Sequence, residues 1–131
     1  MHWATQYIGR PYHPQGEGPD KFHCWSFFRY VQLHHFGRDL PIVPNPENVL
    51  AQERTFRDHP EKAKWELCQK PDEGDGVLLR KGKFPVHIGL WVDANGGCVL
   101  HCVPVSGVVG QNLPGLKVSQ WEIEGYYRFK G

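Results

Sequence analysis

Residues 85–103, PVHIGLWVDANGGCVLHCV, hold two runs of alternating residues separated by a turn-forming segment. Each run, from Pro85 to Val92 and from Cys98 to Val103, predicts a β-strand with one apolar face. The Asn-Gly pair between them is typical of a tight hairpin connection. We therefore expect an antiparallel hairpin here, and its register determines what else the chain builds.

The length of the hairpin loop decides whether its two histidines share a face. A three-residue loop, residues 94–96, sets Gly89 opposite His101 and leaves His87 diagonal to it on the same face. A two-residue turn at residues 95–96 would put the histidines on opposite faces. The three-residue loop, with its last residue in the left-handed conformation, is favoured because Gly89 then leaves room for the His101 ring.

A helix is predicted upstream, from about Lys21 or Cys24 to Phe36, with Asp20 as its N-cap and Gly37 as the residue that ends it. The cysteine lies in the first turn, where unpaired backbone N–H groups favour a thiolate. A protonated histidine nearby would favour the thiolate further and lower the cysteine pKa. A cysteine so placed, facing a histidine on a packed strand, has the chemistry of an activated nucleophile.

The remaining segments predict an α+β domain. Residues 47–59, ENVLAQERTFRDH, predict a second and more polar helix, and KWELCQ, DGVLLR and YYRFK predict further short strands. N-terminal helices packed on a mostly antiparallel sheet, in a single domain of residues 1–131, account for this order of elements. The acidic side chains of Asp72, Glu73 and Asp75 lie in a turn and are expected to be solvated.

Composition excludes several classes of function. Lysine and arginine number 15 against 14 aspartate and glutamate, a balance that gives no field for capturing nucleic acid or an anionic membrane. No apolar run approaches the roughly 20 residues that cross a bilayer. Residues 1–16 lack the basic and then apolar pattern of a secretory signal, so synthesis in the cytoplasm is expected.

The string from Cys98 to Cys102 suggests a zinc site, but two observations oppose it. Strand alternation directs His101 away from both cysteines, and no CxxC pair supplies the other ligands that a structural zinc requires. Four cysteines are also few for a disulfide scaffold of this length. We therefore expect neither a metal nor another cofactor.

Six motifs together resemble the NlpC-type cell-wall peptidases, and they cover the chain from about residue 7 to residue 129. The half that carries the cysteine contains GRPY (9–12), FHC (22–24) and GRDLP (37–41), and the half that carries the histidines contains GDGVLL (74–79), HIGLW (87–91) and VLH (99–101). The Cys-Trp pair at residues 24–25 and the closing EGYYR (124–128) are most similar to a compact branch from tail-assembly regions of bacteriophages and prophages.

The resemblance implies a papain-like α+β fold and hydrolysis of amide bonds in the stem peptides of peptidoglycan, typically next to a D-glutamyl residue. It implies Cys24 as the nucleophile, His87 as the general base and acid, and His101 as the residue that orients the imidazole, in a cysteine version of the catalytic triad. For the phage branch it implies tail proteins as partners and a place on the virion tail, acting at the cell wall.

Two departures from the family pattern concern the substrate side. The family has Asp before the cysteine and Ser-Gly after it, where this chain has His23 and then Trp25-Ser26. In cell-wall members the Asp and Ser help hold the free amino terminus of the stem peptide, and a histidine supplies no fixed negative charge at neutral pH. Trp25 is read more as a packing residue than as a platform for substrate. Tyr12 matches a family tyrosine near the nucleophile, and it is either a site group for the oxyanion or the substrate, or a loop anchor.

Two alternatives to hydrolysis stay open at this point. The chain fits a structural module of tail assembly that has kept the fold and lost useful turnover, with His23 and Trp25 as the traces of that loss. It also fits an acyltransferase, in which an amine or alcohol replaces water on the same acyl-enzyme.

Overall fold

The computed structural model describes residues 2–43, 54, 59–82 and 84–130, with the side chains of residues 84–86 left out. The second helix predicted over residues 47–59 lies almost entirely outside the described residues. Within them, helix α1 spans Cys24–Phe36, helix α2 spans Leu113–Val118, and short 3-10 turns span Trp3–Tyr7, Pro60–Lys64 and Ala94–Gly96. In the same part of the chain no helix is long and apolar enough to cross a membrane.

One antiparallel sheet forms the centre of the described structure and confirms the predicted α+β class. Its strands are β1 (Trp65–Cys68), β2 (Gly76–Lys81), β3 (Phe84–Val92), β4 (Cys98–Val103), β5 (Gly107–Gln111) and β6 (Glu122–Phe129). Their order across the sheet is β1-β6-β2-β3-β4-β5. Among the described strands, β6, the last in sequence, therefore lies between β1 and β2.

Helix α1 begins at Cys24 because the backbone before it is held in extended pairing. Phe22 forms isolated bridges with Tyr12 and Glu17, which leaves no helical turn before His23. His23 is the N-cap, and its N–H donates to the side-chain oxygen of Ser26 at 2.9 Å. The prediction of Asp20 as the N-cap was wrong for this reason.

The C-terminal end of α1 is as predicted. Gly37 adopts the left-handed conformation at φ 67°, and its N–H donates to the carbonyl of Leu33 at 3.2 Å. Glycine carries no Cβ, so this conformation is free of the steric cost that other residues meet there.

The sheet separates two apolar clusters. Helix α1 packs on one face of β3 and β4, where Phe27, Phe28 and Val31 meet side chains of the sheet in a cluster that also holds Leu90, Val92, Leu100, Cys102 and Val108. The smaller cluster is built on Val77, Leu79, Val99 and Leu116, with Trp91 and Trp121 packed against it. Alternation along β3 and β4 places the two histidines of the hairpin on this second face.

The hairpin register is the one that the three-residue loop predicts. Leu90 pairs with Leu100 and Trp91 with Val99, so the same register sets Gly89 opposite His101. A Cβ added at Gly89 would lie 2.9 Å from the Cβ of His101, which is closer than side chains tolerate. The prediction that Gly89 makes room for His101 is confirmed. The loop itself has two left-handed residues, at positions 95 and 96, where one was expected.

Asp75 is buried, and the prediction that it is solvated was wrong. Its side chain is 4% exposed and accepts hydrogen bonds from the Arg128 guanidinium at 2.8 Å and from the backbone N–H of Asp72 at 2.7 Å. Arg128 lies on β6, 53 residues further along the chain. The pairing of β2 with β6 brings the arginine to Asp75, and the residues around Asp75 in the sequence do not indicate this contact.

Candidate active site

Cys24 is the first residue of α1, is half-buried, and carries a free thiol. Burial raises its pKa to about 11, while hydrogen bonds from the backbone N–H groups of Ile88, Trp25 and Cys24 itself act in the opposite direction. The contact with Ile88 places the sulfur beside the backbone of β3, at the residue that follows His87. The prediction of a lowered cysteine pKa was wrong, because desolvation outweighs the helix N-terminus.

His87 and His101 form a buried hydrogen-bonded pair. Their rings are joined by a 2.7 Å hydrogen bond between Nε2 of His87 and Nδ1 of His101, and both residues are less than 5% exposed. On its far side His101 uses Nε2 to bond the side-chain oxygen of Gln111, also at 2.7 Å. The hairpin thus brings the two histidines together as the register predicts.

Both imidazoles are neutral at neutral pH. Burial lowers the pKa of His87 well below its ordinary value, and repulsion from a protonated His101 and from Lys81 acts in the same direction. Burial also lowers the pKa of His101 to about 4, against a smaller opposing effect of the hydrogen bond to Gln111. The resting site therefore contains a neutral thiol and two neutral imidazoles, without a preformed ion pair.

Two residues of the site, Trp121 and Gln111, are missing from the sequence-based prediction. The Trp121 ring stacks on His87 with centroids 4.7 Å apart and planes at 22°, and it meets His101 edge-on at 6.2 Å. It packs an apolar surface against both rings of the pair. A signal for Gln111 existed in the next residues, since Asn112 followed by Leu-Pro is typical of a helix start directly after a strand.

The residues assigned to the substrate side occupy the start of α1 and the loop before it. Tyr12 is half-buried, packs against the larger cluster, and pairs through its backbone with Phe22, two residues before the cysteine. His23 is 1% exposed, and its Nε2 bonds the carboxylate of Glu17 at 3.0 Å. Its Nδ1 is buried without a hydrogen-bond partner among the described residues. Glu17, in the loop, is a further residue that the sequence analysis does not identify.

Trp25 packs between α1 and the segment that follows it. Its indole N–H donates to the carbonyl of Pro41 at 2.9 Å, and its ring lies 5.6 Å from that of Phe28. These contacts favour the packing interpretation of Trp25, and a role toward substrate stays a prediction.

The described residues contain no group of three or more histidine, cysteine or acidic side chains arranged to hold a metal ion. Cys98 and Cys102, the ends of the string that suggests zinc, are both free thiols. Cys102 is buried, and its thiol donates to the carbonyl of Phe22 at 3.4 Å, on the α1 side of the sheet. His101 belongs to the pair on the other face.

A helix-borne thiol beside β3, whose His87 pairs with His101 of β4, with α1 packed on an antiparallel sheet, is the arrangement of a papain-like cysteine hydrolase fold. Residues 9–121 match the model of the NlpC/P60 family, and the chain belongs to this family. No curated protein sequence matches the chain.

Solved structures share this fold at low sequence identity. The NlpC/p60 domain of the peptidoglycan hydrolase SagA is 23% identical, with a TM-score of 0.58, and the alignment covers 95% of this chain and 90% of that one. NlpC1 from Trichomonas vaginalis is 13% identical with a TM-score of 0.64, covering 96% of this chain and 41% of that one. A lipoprotein-like NLP/P60 family protein from Staphylococcus aureus is 17% identical with a TM-score of 0.62, and the alignment covers 98% of this chain and 39% of that one. The chain thus spans about two fifths of the last two proteins.

Proposed function

We propose that this protein is a cysteine hydrolase that cleaves amide bonds in the stem peptides of peptidoglycan. The family to which it belongs consists generally of cysteine peptidases and amidases. One observation carries the proposal. His87 shares a buried 2.7 Å hydrogen bond with His101, and the next residue on the same strand, Ile88, contacts the Cys24 sulfur through its backbone. Thiol, imidazole and orienting group are thereby supplied by three different elements.

The neutral resting state sets the order of the proton transfers. His87 uses Nε2 toward His101, which leaves Nδ1 as the nitrogen that takes the thiol proton. As the sulfur attacks the amide carbonyl, that proton moves to His87, so the thiolate forms only while the bond to carbon is being made. His87 then protonates the leaving amine, and water releases the acid from the acyl-enzyme.

The start of α1 is suited to the negative charge that develops on the carbonyl oxygen. The backbone N–H groups of Cys24 and Trp25 already point at the sulfur, and the helix N-terminus carries partial positive charge. Donors aimed at a developing oxyanion each contribute roughly 3 kcal/mol in related chemistry. Tyr12, held near this point by its bridge to Phe22, is proposed as a further contact for the substrate.

A cavity of about 410 Å³ next to the histidine pair has the charge to hold a carboxylate. Its wall includes Trp121, whose ring stacks on His87 and whose centroid lies 4.4 Å from the Lys81 ammonium. The full lining is Lys81, Gly82, Lys117, Gln120, Trp121 and Glu122. The one acidic residue of the lining is paired with Arg80 at 3.0 Å, so the two lysines dominate. Stem peptides that contain D-glutamate carry free carboxylates of this kind.

The proposed biological setting rests on two short motifs. The Cys-Trp pair and the closing motif of β6 support a role on a phage or prophage tail, with synthesis in the cytoplasm and action at the cell wall. Tail proteins are then the partners, and the stem peptide is the substrate.

Two observations favour a second candidate, a structural module without useful turnover. Burial raises the pKa of Cys24 to about 11, and His23 stands where the family has an acidic residue. Under this alternative the thiol and the histidine pair are remnants that only stabilise the fold.

Incubation with purified peptidoglycan, followed by mass spectrometry of the released fragments, separates the two candidates. We expect fragments from the wild type, none from Cys24→Ala, and wild-type amounts from Cys98→Ala, which removes another free thiol. Cleavage by Cys24→Ala at the wild-type rate would contradict the mechanism. An inactive wild type would favour the structural module, and products carrying an added amine would indicate acyl transfer.

A further inference from the structure

Gln111, the last residue of β5, has an amide group whose orientation is fixed by its partners. Its Oε1 lies 2.7 Å from Nε2 of His101, and its Nε2 donates to the carbonyl of Gly115 at 3.3 Å and to the hydroxyl of Ser119 at 2.9 Å. A backbone carbonyl only accepts, so the amide nitrogen must face Gly115. The amide oxygen therefore faces the imidazole.

This orientation determines where the protons of the two imidazoles lie. Because the amide oxygen only accepts, Nε2 of His101 carries the hydrogen, and the Nδ1 of neutral His101 is a bare acceptor. The 2.7 Å bond between the rings then requires Nε2 of His87 to be the donor. Neutral His87 is left with a bare Nδ1.

The opposite orientation of the Gln111 amide would disable the site. An N–H facing Nε2 of His101 would move the His101 hydrogen to Nδ1, which would donate to His87. The hydrogen of His87 would then sit on Nδ1, the nitrogen that must accept the thiol proton. The direction of one amide group thus decides whether His87 is a base toward Cys24.

A small structural unit holds Gln111 in this direction. Gly115 belongs to α2 and Ser119 ends it, and Asn112 caps the same helix by accepting from the Gly115 N–H at 2.9 Å. The strand end and the short helix together hold both donors of the amide.

We propose that Gln111 is a positioning residue that sets the tautomers of His101 and His87 and so makes His87 competent to accept a proton from Cys24. The inference rests on the proposed hydrolysis for its consequence in turnover. The tautomers themselves are a property of the folded protein and are measured without substrate.

The first experiment reads the tautomers by long-range proton–nitrogen correlation of the histidine rings in ¹⁵N-labelled protein at pH 7. We expect a protonated Nε2 and a bare Nδ1 for both histidines in the wild type. Gln111→Met removes the acceptor at similar volume and should abolish this single pattern, while Gln69→Met, at an exposed position, should leave it unchanged. A protonated Nδ1 on His101 in the wild type would overturn the inference, whether or not the protein hydrolyses peptidoglycan.

The second experiment measures kinetics on a soluble peptidoglycan fragment. Gln111→Met should lower kcat about 100-fold with KM unchanged, at the lower end of what general base catalysis contributes. Gln111→Glu keeps an acceptor, so it should retain the tautomers and most of the turnover at pH 7, and its carboxylate should move the acid limb of the kcat/KM profile to higher pH. Unchanged kcat in Gln111→Met, or an unmoved limb in Gln111→Glu, would overturn the inference, whereas an inactive wild type with the expected tautomers counts against hydrolysis alone.

Discussion

Replacing Gly89 with alanine tests whether the hairpin register is what keeps the two imidazoles together. The new Cβ would lie 2.6 Å from Cγ1 of Val99, 2.9 Å from the Cβ of His101 and 3.0 Å from the carbonyl oxygen of Leu100. Two of these atoms are backbone or Cβ, and the valine is stiff at χ1, so no flexible side-chain end can move aside. Ordinary carbon contacts begin near 3.5 Å, so β3 and β4 must separate by about 1 Å.

That displacement has an expected cost in stability and in activity. Overpacking of this kind costs about 1–3 kcal/mol of the free energy of unfolding. A misplacement of about 1 Å in a catalytic arrangement costs on the order of 100-fold in rate. We expect Gly89→Ala to show both losses, in chemical denaturation and in kcat/KM on a soluble peptidoglycan fragment.

Gly110→Ala is the matched control for this change. It adds the same methyl group to strand β5, which pairs with β4, and there the nearest atom, Sγ of Cys98, lies at an ordinary 3.6 Å. We expect its stability to stay within about 0.5 kcal/mol of the wild type, as for most surface substitutions, and its turnover to be unchanged. A Gly89→Ala protein with wild-type stability and turnover would refute the close approach of the two strands and the role given to His101.

Four further predictions follow from burial and charge. The pKa of His101, lowered to about 4, makes folded protein lose stability as pH falls below the ordinary histidine value near 6.5, since the unfolded chain binds the proton first. Between pH 6.5 and pH 5, urea denaturation should show that the free energy of unfolding falls by about 2 kcal/mol more in the wild type than in His101→Asn. Equal falls in the two proteins would contradict this. The rate at which iodoacetamide alkylates Cys24, measured by mass spectrometry, should rise about tenfold per pH unit from pH 7 to 9. A rate that stops rising below pH 8 would reveal a preformed thiolate. Asp75→Asn should lower the free energy of unfolding by about 2 kcal/mol, whereas Asp72→Asn, at an exposed side chain, should lower it by much less. Similar effects of the two substitutions would show that the buried carboxylate is not a structural anchor. Lys117→Glu should raise KM about fivefold without lowering kcat, and Lys117→Arg should leave both constants unchanged. An unaltered KM in Lys117→Glu would show that the cavity does not bind substrate.

The parts of the fold that the sequence predicts are those with local causes. The hairpin register follows from a loop of three residues and from Gly89, and the end of α1 follows from Gly37, so each cause lies within a few residues of its effect. The pairing of His87 with His101 could therefore be predicted, because it depends only on register and alternation.

The parts that sequence analysis misses depend on contacts distant in the chain. Asp75 looks like a turn residue until β6 brings Arg128 to it. The sign of the Cys24 pKa shift depends on how deeply α1 is packed, and a helix N-terminus read from sequence shows only the opposing effect. Strand β5 is short and two of its five residues are glycines, so its periodicity is weak, and Gln111 is missed together with it.

The place of β6 has a consequence for how the molecule is made. The ribosome delivers β1 before the other described strands, and among these strands its one partner is β6, which follows all of them in the chain. A nascent chain that ends after β5 can close the hairpin of β3 and β4, yet its β1 is unpaired and one edge of β2 is open to other chains. Completion of the sheet, and with it the anchoring of Asp75 by Arg128, must wait for the final eight-residue strand.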